Sequence, residues 1–395
     1  MSFEGKKRPV SEWIPLCDPE IRGNELMYLQ ECLKTNYVSS VGPFVDRFEG
    51  MMAKQVCAKF AVATVNGTSA LHMALLVAGV KPDDEVLVST LTFIAPVNAI
   101  RYVGAWPVFV DAEPDYWQMD ARKLVDFVER DCIWRSGALY NQRTGRRVSA
   151  IIPVHILGHP VDMDPIIEIA EKYNLKVIED ATEGLGAKYK GRPLGSLGDI
   201  ACFSFNGNKI ITTGGGGMIV TDHEGWARKA KYLTTQAKDD PVEYIHNEIG
   251  YNYRLTNLQA AVGCAQLEKL DDYVEAKRNI ADTYRRTLAG VPGISLMQEA
   301  SWAHSTYWMY TVLVDELQYG MGSRALLQKL GRCKIQSRPL WQPIHLSPAH
   351  SGSASIGGAA AEQLYKRALS IPCSVGLSRE AQNHVACQIS VNRKQ

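Results

Sequence analysis

The amino-acid sequence predicts an α/β fold with a mostly parallel central sheet, followed by a smaller α+β domain. Over the first two-thirds of the 395 residues, short apolar runs alternate with segments of helical periodicity. Apolar strands separated by helices are typical of βαβ units, whose strands lie parallel. After about residue 255 this alternation stops and a long helical segment follows. The chain is long enough to bury a large core without disulfides or metals.

Each predicted element follows from its local pattern. The apolar runs predict strands at 61–65, 85–89, 106–110, 150–154, 176–179, 200–205 and 218–220. The helical periodicities between them predict helices at 68–78, 96–103, 120–129 and 163–173. Beyond them, the pattern predicts one long helix at 258–288, a strand at 307–314, a helix near 324–330 and a loop at 351–361. We therefore predict an N-terminal arm (1–22), a large α/β domain (23–257) and a small α+β domain (258–395).

Composition excludes several classes of protein. Lys plus Arg number 43 and Asp plus Glu number 42, so the chain lacks the basic excess of a nucleic-acid-binding protein. No run of 18 apolar residues occurs, and no apolar segment follows the basic run Lys6-Lys7-Arg8, so we expect neither a membrane span nor a signal peptide. The nine cysteines are scattered and form no C-x-x-C pair, which favours a reduced, cytoplasmic chain.

Two familiar ligand motifs are absent, and a third is incomplete. There is neither a Walker A sequence nor a G-x-G-x-x-G pattern. His155 and His159 stand four apart, but Ile156 occupies the place where H-E-x-x-H requires Glu. We therefore expect no metal site, and a structural or substrate-contact role for these histidines.

Three polar segments follow predicted strands, where parallel sheets bind ligands. Thr68 and Ser69 begin a helix and suit either a phosphate or a simple N-cap. Asp180 ends a strand, where it could hold a cationic ring nitrogen or cap the next turn. Lys209 lies in a polar turn after another strand, which suits either a Schiff-base lysine or a solvated one.

The order of these segments, together with longer matching stretches, indicates that the chain resembles a known protein family. The stretches include NGTSALHMAL (66–75), PVHILGHPVDMD (153–164), IEDATEGLGAKYKGRPLGSLGDIACFSFNGNK (178–209) and GYNYRLTNLQAAVG (250–263). From about Trp13 to Gln388, the chain resembles the DegT/DnrJ/EryC1/StrS family of sugar aminotransferases. Within that family it looks most like the 4-aminotransferases of the legionaminic-acid pathway and the perosamine synthases.

The resemblance implies a fold-type I pyridoxal-phosphate enzyme and gives roles to single residues. Lys209 would bind the cofactor aldehyde, Asp180 would hold the pyridine nitrogen protonated, and Phe93 would stack on the ring. Thr68, Ser69 and Ser204 would hold the phosphate, with Asn252 reaching it from the partner subunit of a homodimer with shared sites. The weaker matches, which would line the sugar-nucleotide site, are His155, Arg254, Arg338 and His345.

Three positions depart from the common pattern of the family. Glu183, beside the cofactor, stands where many relatives carry His or Gln, and we interpret it as the mark of a subgroup. Gly215 replaces a common Glu and His350 a common Tyr, which leaves the details of substrate contact open. A branch of dehydratases carries His in place of the lysine, so Lys209 favours transamination.

The function that these matches imply is amino transfer from L-glutamate to the 4-keto group of a nucleotide-linked 4-keto-6-deoxyhexose, expected to be 2-acetamido. Pyridoxamine phosphate would be the intermediate form of the cofactor, and the amino sugar would enter a surface glycan or a nonulosonic acid. Two alternatives stay open: a non-catalytic regulator that keeps the fold, and a fold-type I enzyme that acts on amino acids.

Overall fold

The computed structural model describes residues 13–240 and 242–392, and the basic run at 6–8 lies outside them. The helices are α1 (Glu25–Lys34), α2 (Pro43–Gln55), α3 (Gly67–Val77), α4 (Ala95–Tyr102), α5 (Ala121–Arg130), α6 (Met163–Lys172), α7 (Glu224–Thr234), α8 (Asn257–Leu267), α9 (Leu270–Leu288), α10 (Glu316–Tyr319), α11 (Ser323–Arg332), α12 (Ala359–Arg367) and α13 (Arg379–Val391). None of these helices is both long and apolar enough to cross a membrane.

The strands are β1 (Phe60–Thr64), β2 (Glu85–Ser89), β3 (Trp106–Val110), β4 (Cys132–Arg135), β5 (Ala138–Asn141), β6 (Arg147–Ile152), β7 (Lys176–Asp180), β8 (Lys188–Tyr189), β9 (Arg192–Pro193), β10 (Ile200–Ser204), β11 (Gly217–Thr221), β12 (Ile294–Leu296), β13 (Ala303–His304), β14 (Tyr310–Val314), β15 (Ala354–Ile356) and β16 (Ala368–Ile371). Three short 3₁₀ turns lie at Ile156–Gly158, Ile344–Leu346 and Pro348–His350.

In the described part of the chain, ten strands form the central sheet. Eight of them lie in the order β1-β11-β10-β7-β6-β2-β3-β15, and the hairpin β4–β5 extends from β6. Neighbouring strands from β10 to β15 in this order are parallel, whereas β11 is antiparallel to both of its neighbours. Every residue of β2 and of β11 is buried, because helices cover both faces of the sheet. The predicted mostly parallel α/β sheet is thus confirmed.

The C-terminal part of the chain contributes a separate antiparallel sheet, β12-β14-β16, against which α9, α11 and α12 pack. A second small sheet, β13-β8-β9, joins this part to the segment after β7. The described residues of the N-terminal segment run along the C-terminal part, where Ile14 pairs with Ile335.

Two predictions for the C-terminal part are wrong. The helix predicted at 258–288 is broken between α8 and α9, at Glu268 and Lys269. The Glu268 carboxylate accepts hydrogen bonds from Asn24, Tyr28 and Arg47, so α8 is fixed against α1 and α2 while α9 continues towards the small sheet. The loop predicted at 351–361 contains β15, which pairs with β3, and the first turn of α12.

The sequence pattern did not predict α1 and α2, which precede the first strand. Their apolar faces pack on α8, where Gly263 gives room to the Phe48 ring: a Cβ at Gly263 would approach that ring to 2.7 Å. These contacts seal one side of the sheet. Five strands of the central sheet end at the same edge, namely β1, β2, β6, β7 and β10. The polar segments that follow these strands meet at that edge.

Candidate active site

A cleft of about 400 Å³ opens at this edge of the sheet. Its walls come from the ends of β7 and β10, the start of α3, the segment between β2 and α4, and two tryptophans of the C-terminal part. The carboxyl edge of a parallel sheet is the usual ligand site of α/β proteins.

Lys209 lies in the turn after β10, where its backbone N–H donates to Asn206 O at 2.9 Å. Its Nζ is 3.7 Å from Glu183 Oε1 and 4.3 Å from the centre of the Trp308 ring. The side chain is 13% exposed, and it lines the cleft. The amine is therefore shielded from bulk water and still reachable by a ligand in the cleft, as a Schiff-base lysine must be.

Asp180 is the last residue of β7 and lines the same cleft, although it is only 2% exposed. Its Oδ1 accepts the Thr182 N–H at 3.1 Å, so the acid does cap the next turn. Burial raises the pKa of Asp180, and the Thr182 hydrogen bond and the Lys209 charge oppose that rise. A buried carboxyl that borders a cavity can gain a cationic partner there, which keeps the ring-nitrogen role open beside the cap.

The start of α3 forms the opposite wall. Asn66 is the N-cap, because its side chain accepts the Ser69 N–H at 2.8 Å, so neither Thr68 nor Ser69 is needed as a cap. Thr68 lines the cleft beside Ser204, whereas Ser69 is buried behind it. A Cβ at Gly67 would come within 2.8 Å of Ser204 Cβ, so only glycine allows this approach of helix and strand. Free helix N–H groups and two hydroxyls suit a phosphate.

Glu183 is one of the three departures named above, and its carboxylate has two contacts. Its Oε2 accepts the backbone N–H of Leu157 at 2.8 Å, while its Oε1 faces Lys209. Leu157 has a φ of 60°, a conformation that a branched residue seldom adopts without support. Burial raises the pKa of Glu183 to about 7, against the opposing effect of the Lys209 charge.

Aromatic side chains complete the cleft. Phe93 is 56% exposed and borders the cavity, so its ring is free to stack on a ligand. Trp308 and Trp341 also line the cleft, and sequence reasoning missed both. They lie about 100 and 130 residues after Lys209, in segments without any motif, so no local signal could have placed them there.

The residues predicted to contact the substrate are not among those that line this cleft. His155 is fully buried: its Nδ1 accepts the Val161 N–H at 3.0 Å, and its Nε2 donates to Glu179 Oε2 at 3.2 Å. His345 is held by Thr90 at 2.7 Å and lies 3.4 Å from Glu362. The ring nitrogens of both histidines have protein partners here, and a substrate-contact role for either stays a prediction.

The two arginines and Asn252 lie outside this chain's cleft. Arg338 is exposed and pairs through its backbone with Ser370. Asn252 is exposed and pairs through its backbone with Thr235, and Arg254 lies beside it. The role of Asn252 at a partner's site, and the substrate contacts of Arg254 and Arg338, stay predictions.

The histidine pair that resembles a zinc motif is explained by packing. His159 stacks on Tyr116 with ring centres 5.4 Å apart, and its Nε2 accepts the Ala300 N–H at 3.1 Å. Burial lowers the pKa of His159 to about 4. Over residues 13–240 and 242–392, no group of three or more His, Cys, Asp or Glu side chains is placed to hold a metal ion.

The cleft thus gathers a shielded amine, a buried acid, a helix N-terminus with hydroxyls and an exposed aromatic ring. These groups fit the aldehyde, the ring nitrogen, the phosphate and the ring face of pyridoxal phosphate.

Comparison with known proteins agrees with this fit. The profile of the DegT/DnrJ/EryC1/StrS aminotransferase family matches residues 19–390. A GDP-perosamine synthase of Caulobacter vibrioides is 41% identical over 368 residues, covering 92% of this chain and 94% of the relative. A pleiotropic regulatory protein of Geobacillus stearothermophilus is 34% identical over 389 residues, covering 96% of each chain.

Among solved structures, that of S. venezuelae DesV in complex with a ketimine intermediate superposes with a TM-score of 0.86. It is 30% identical, and the match covers 97% of this chain and all of DesV. The chain therefore belongs to the DegT/DnrJ/EryC1/StrS family of pyridoxal-phosphate-dependent sugar aminotransferases.

Proposed function

We propose that the protein transfers the amino group of L-glutamate to the 4-keto group of a nucleotide-linked 4-keto-6-deoxyhexose. The observation that carries this proposal is the meeting of Lys209 and Asp180 in one cleft that stays open beside them. The similarity to a GDP-perosamine synthase supports a 4-keto sugar nucleotide as acceptor. The product would be a 4-amino-4,6-dideoxy sugar nucleotide for a surface glycan or a nonulosonic acid.

Each residue of the cleft has its own role in the proposed reaction. Bound in this cleft, the cofactor would supply an aldehyde for the amino group and a ring that takes up electrons. Asp180 would hold a proton on the ring nitrogen, and Thr68 with Ser204 would bind the phosphate. Lys209 Nζ would accept the proton from the carbon that carries the amino group of glutamate, and would return it to the sugar carbon. Trp308 and Trp341 would exclude water from this exchange.

We further propose a homodimer in which Asn252 reaches the phosphate of the partner's site. Asn252 is exposed, and nearby in sequence Val242, Tyr244 and Ile249 are 77%, 67% and 85% exposed. Several large apolar side chains that are exposed to solvent in one segment are typical of an interaction surface. The cytoplasmic location stays a prediction of the sequence.

The first test is the visible absorption spectrum of the protein with pyridoxal phosphate, recorded before and after addition of L-glutamate. We expect the band of the lysine-bound cofactor to fall and that of pyridoxamine phosphate to rise. GDP-, UDP- and dTDP-linked 4-keto-6-deoxyhexoses, with and without a 2-acetamido group, would then be added. The sugar that restores the first band identifies the acceptor, with its 3-keto isomer as control.

The same experiment distinguishes the alternatives. A spectrum that responds to amino acids and keto acids but to none of the sugars would contradict the proposal and favour an enzyme of amino-acid metabolism. Binding of a sugar nucleotide without any amino transfer would favour a regulator, the role that the name of the Geobacillus relative gives to that protein.

A further inference from the structure

A second lysine, outside the cleft, is buried among sulfur atoms. Lys277 of α9 is 2% exposed, and its Nζ donates to Trp308 O at 2.8 Å and to Cys373 O at 2.6 Å. Two thiol sulfurs complete its surroundings, Cys17 Sγ at 3.3 Å and Cys373 Sγ at 3.7 Å. We call Lys277, Cys17 and Cys373 the thiol cluster.

The ammonium of the thiol cluster lacks a carboxylate partner. Among the described residues no Asp or Glu oxygen lies within ion-pair distance of Lys277 Nζ, and the two carbonyl groups that it contacts carry no net charge. A buried charge without a counter-ion is strongly unfavourable in the low-dielectric interior. The groups in contact that can become anionic are the two thiols.

The hydrogen bonding favours Cys17 as the anion. Lys277 Nζ lies closer to Cys17 Sγ than to Cys373 Sγ, and a hydrogen bond with Cys373, followed by the Lys277 charge, lowers the pKa of Cys17 to about 6. Burial opposes that shift, as does the neighbouring Asp18 charge. The bond from Cys373 to Cys17, together with burial, raises the pKa of Cys373 well above its usual value. Each sulfur also lies near a carbonyl oxygen, Cys17 Sγ at 3.4 Å from Asn208 O and Cys373 Sγ at 3.6 Å from Trp308 O, so the nearer ammonium is what favours Cys17 as the thiolate.

The backbone holds the two cysteines side by side. Cys373 N–H donates to Leu16 O at 2.8 Å, and Asp18 N–H donates to Ser374 Oγ at 2.9 Å. Cys17 is partly exposed, whereas Cys373 is 1% exposed. A small oxidant can therefore reach Cys17 before Cys373, and both sulfurs lie within 3.7 Å of the same Lys277 Nζ.

We propose that Cys17 is a peroxide-reactive thiolate and that Cys373 is its resolving thiol. Attack of Cys17 S⁻ on hydrogen peroxide would break the O–O bond, giving Cys17–SOH and hydroxide. The Cys373 sulfur would then attack Cys17–SOH, forming the disulfide and releasing water, so that two thiols lose two electrons to one peroxide. The proposal does not depend on the substrate of the cleft.

The first experiment measures alkylation by iodoacetamide between pH 6 and 8, with each cysteine followed by peptide mass spectrometry. Cys57 and Cys387, which are exposed, are internal controls. With a pKa near 6 the rate at Cys17 should rise about twofold over this range, against about 76-fold for a thiol with the ordinary pKa of about 8.5. A rate at Cys17 that follows the controls would overturn the proposal.

The second experiment treats the holoenzyme with hydrogen peroxide and digests it with trypsin under non-reducing conditions. The peptides 8–22 and 368–379 each contain one cysteine, so their linked mass reports the disulfide directly. In Cys373→Ser, Cys17 should instead accumulate as sulfenic acid, trapped by dimedone. Oxidation of Cys57 and Cys387 without any linked peptide would refute the proposed pair.

The role of the ammonium is tested in Lys277→Met, where the alkylation rate at Cys17 should regain the steep pH dependence of the controls. An unchanged, flat pH dependence at Cys17 in this variant would show that Lys277 does not stabilise the thiolate. Where this variant fails to fold, Cys17→Ser and Cys333→Ser take its place. The first should abolish the linked peptide, whereas the second, which alters a partly exposed cysteine outside the cluster, should keep it.

Discussion

Lys209 and Lys277 both contact Trp308, the first at the indole ring and the second at the carbonyl oxygen. Around Lys277, two carbonyl oxygens lie within 2.8 Å of Nζ and hold it as an ammonium. Around Lys209, the Glu183 carboxylate stays 3.7 Å away, beyond hydrogen-bond distance, and a cavity opens beside Nζ. Burial alone therefore does not make a lysine reactive. A reactive lysine also needs few fixed hydrogen-bond acceptors around its Nζ, and a cavity through which a ligand can reach it.

The largest effect that would test this contrast is expected from Lys209→Ala. Because we propose that the amine both binds the cofactor and carries the proton, we expect turnover to fall by about 10⁴-fold and the band of lysine-bound cofactor to vanish. Steady-state kinetics and absorbance measure both. Lys190→Ala, which removes an exposed lysine paired with Asp164, is the matched control and should keep both. Substantial turnover in Lys209→Ala would remove this lysine from the reaction.

Asp180→Asn should lower the activity of the protein without lowering its stability. Loss of the charge that we propose to hold the ring nitrogen protonated should lower kcat by about 10²–10³-fold. The cofactor-free protein should unfold at the same temperature or higher, because a buried carboxylate is unfavourable without a partner. Kinetics and thermal unfolding of the same preparation measure the pair of effects. Loss of stability together with activity would mean that Asp180 is structural.

Lys277→Met should instead lower the stability of the protein rather than its activity. Two buried carbonyl groups, Trp308 O and Cys373 O, would lose their donor, and we expect the free energy of unfolding to fall by about 3 kcal/mol. Denaturant unfolding measures this, with Lys269→Met as a control at a half-exposed position just before α9. An equal fall in the two variants would mean that the carbonyl contacts of Lys277 contribute little.

The smallest effect is expected from Glu183→Gln and depends on pH. The pKa of Glu183 lies near 7, above its usual 4.5, so the stabilising contribution of its protonated form is complete below pH 4.5 and is lost as the pH rises through 7. Without cofactor, the variant should therefore gain about 2–4 °C in Tm relative to wild type between pH 5 and 8. Glu171→Gln, at an exposed position, should show no such trend.

Sequence patterns located most of the central sheet because its signals are local. Apolar runs predicted β2 and β3 at the residues where they lie, and the other core strands within a few residues. The prediction failed where distant contacts decide. The Glu268 carboxylate, bound by Asn24, Tyr28 and Arg47, fixes the break between α8 and α9. Likewise, β15 becomes a strand because β3 is there to pair with it.

The sequence by itself determined the order of strands and helices and, through the family pattern, the places of Lys209 and Asp180. Those features depend on hydrophobic periodicity and on residues at strand ends, which a chain carries along its length. Only the tertiary structure decided that Trp308 and Trp341 close the cleft, that His155 turns away from it, and that Lys277 meets Cys17 and Cys373. These contacts join residues far apart in the chain, and their burial and charge states exist only once the segments pack together.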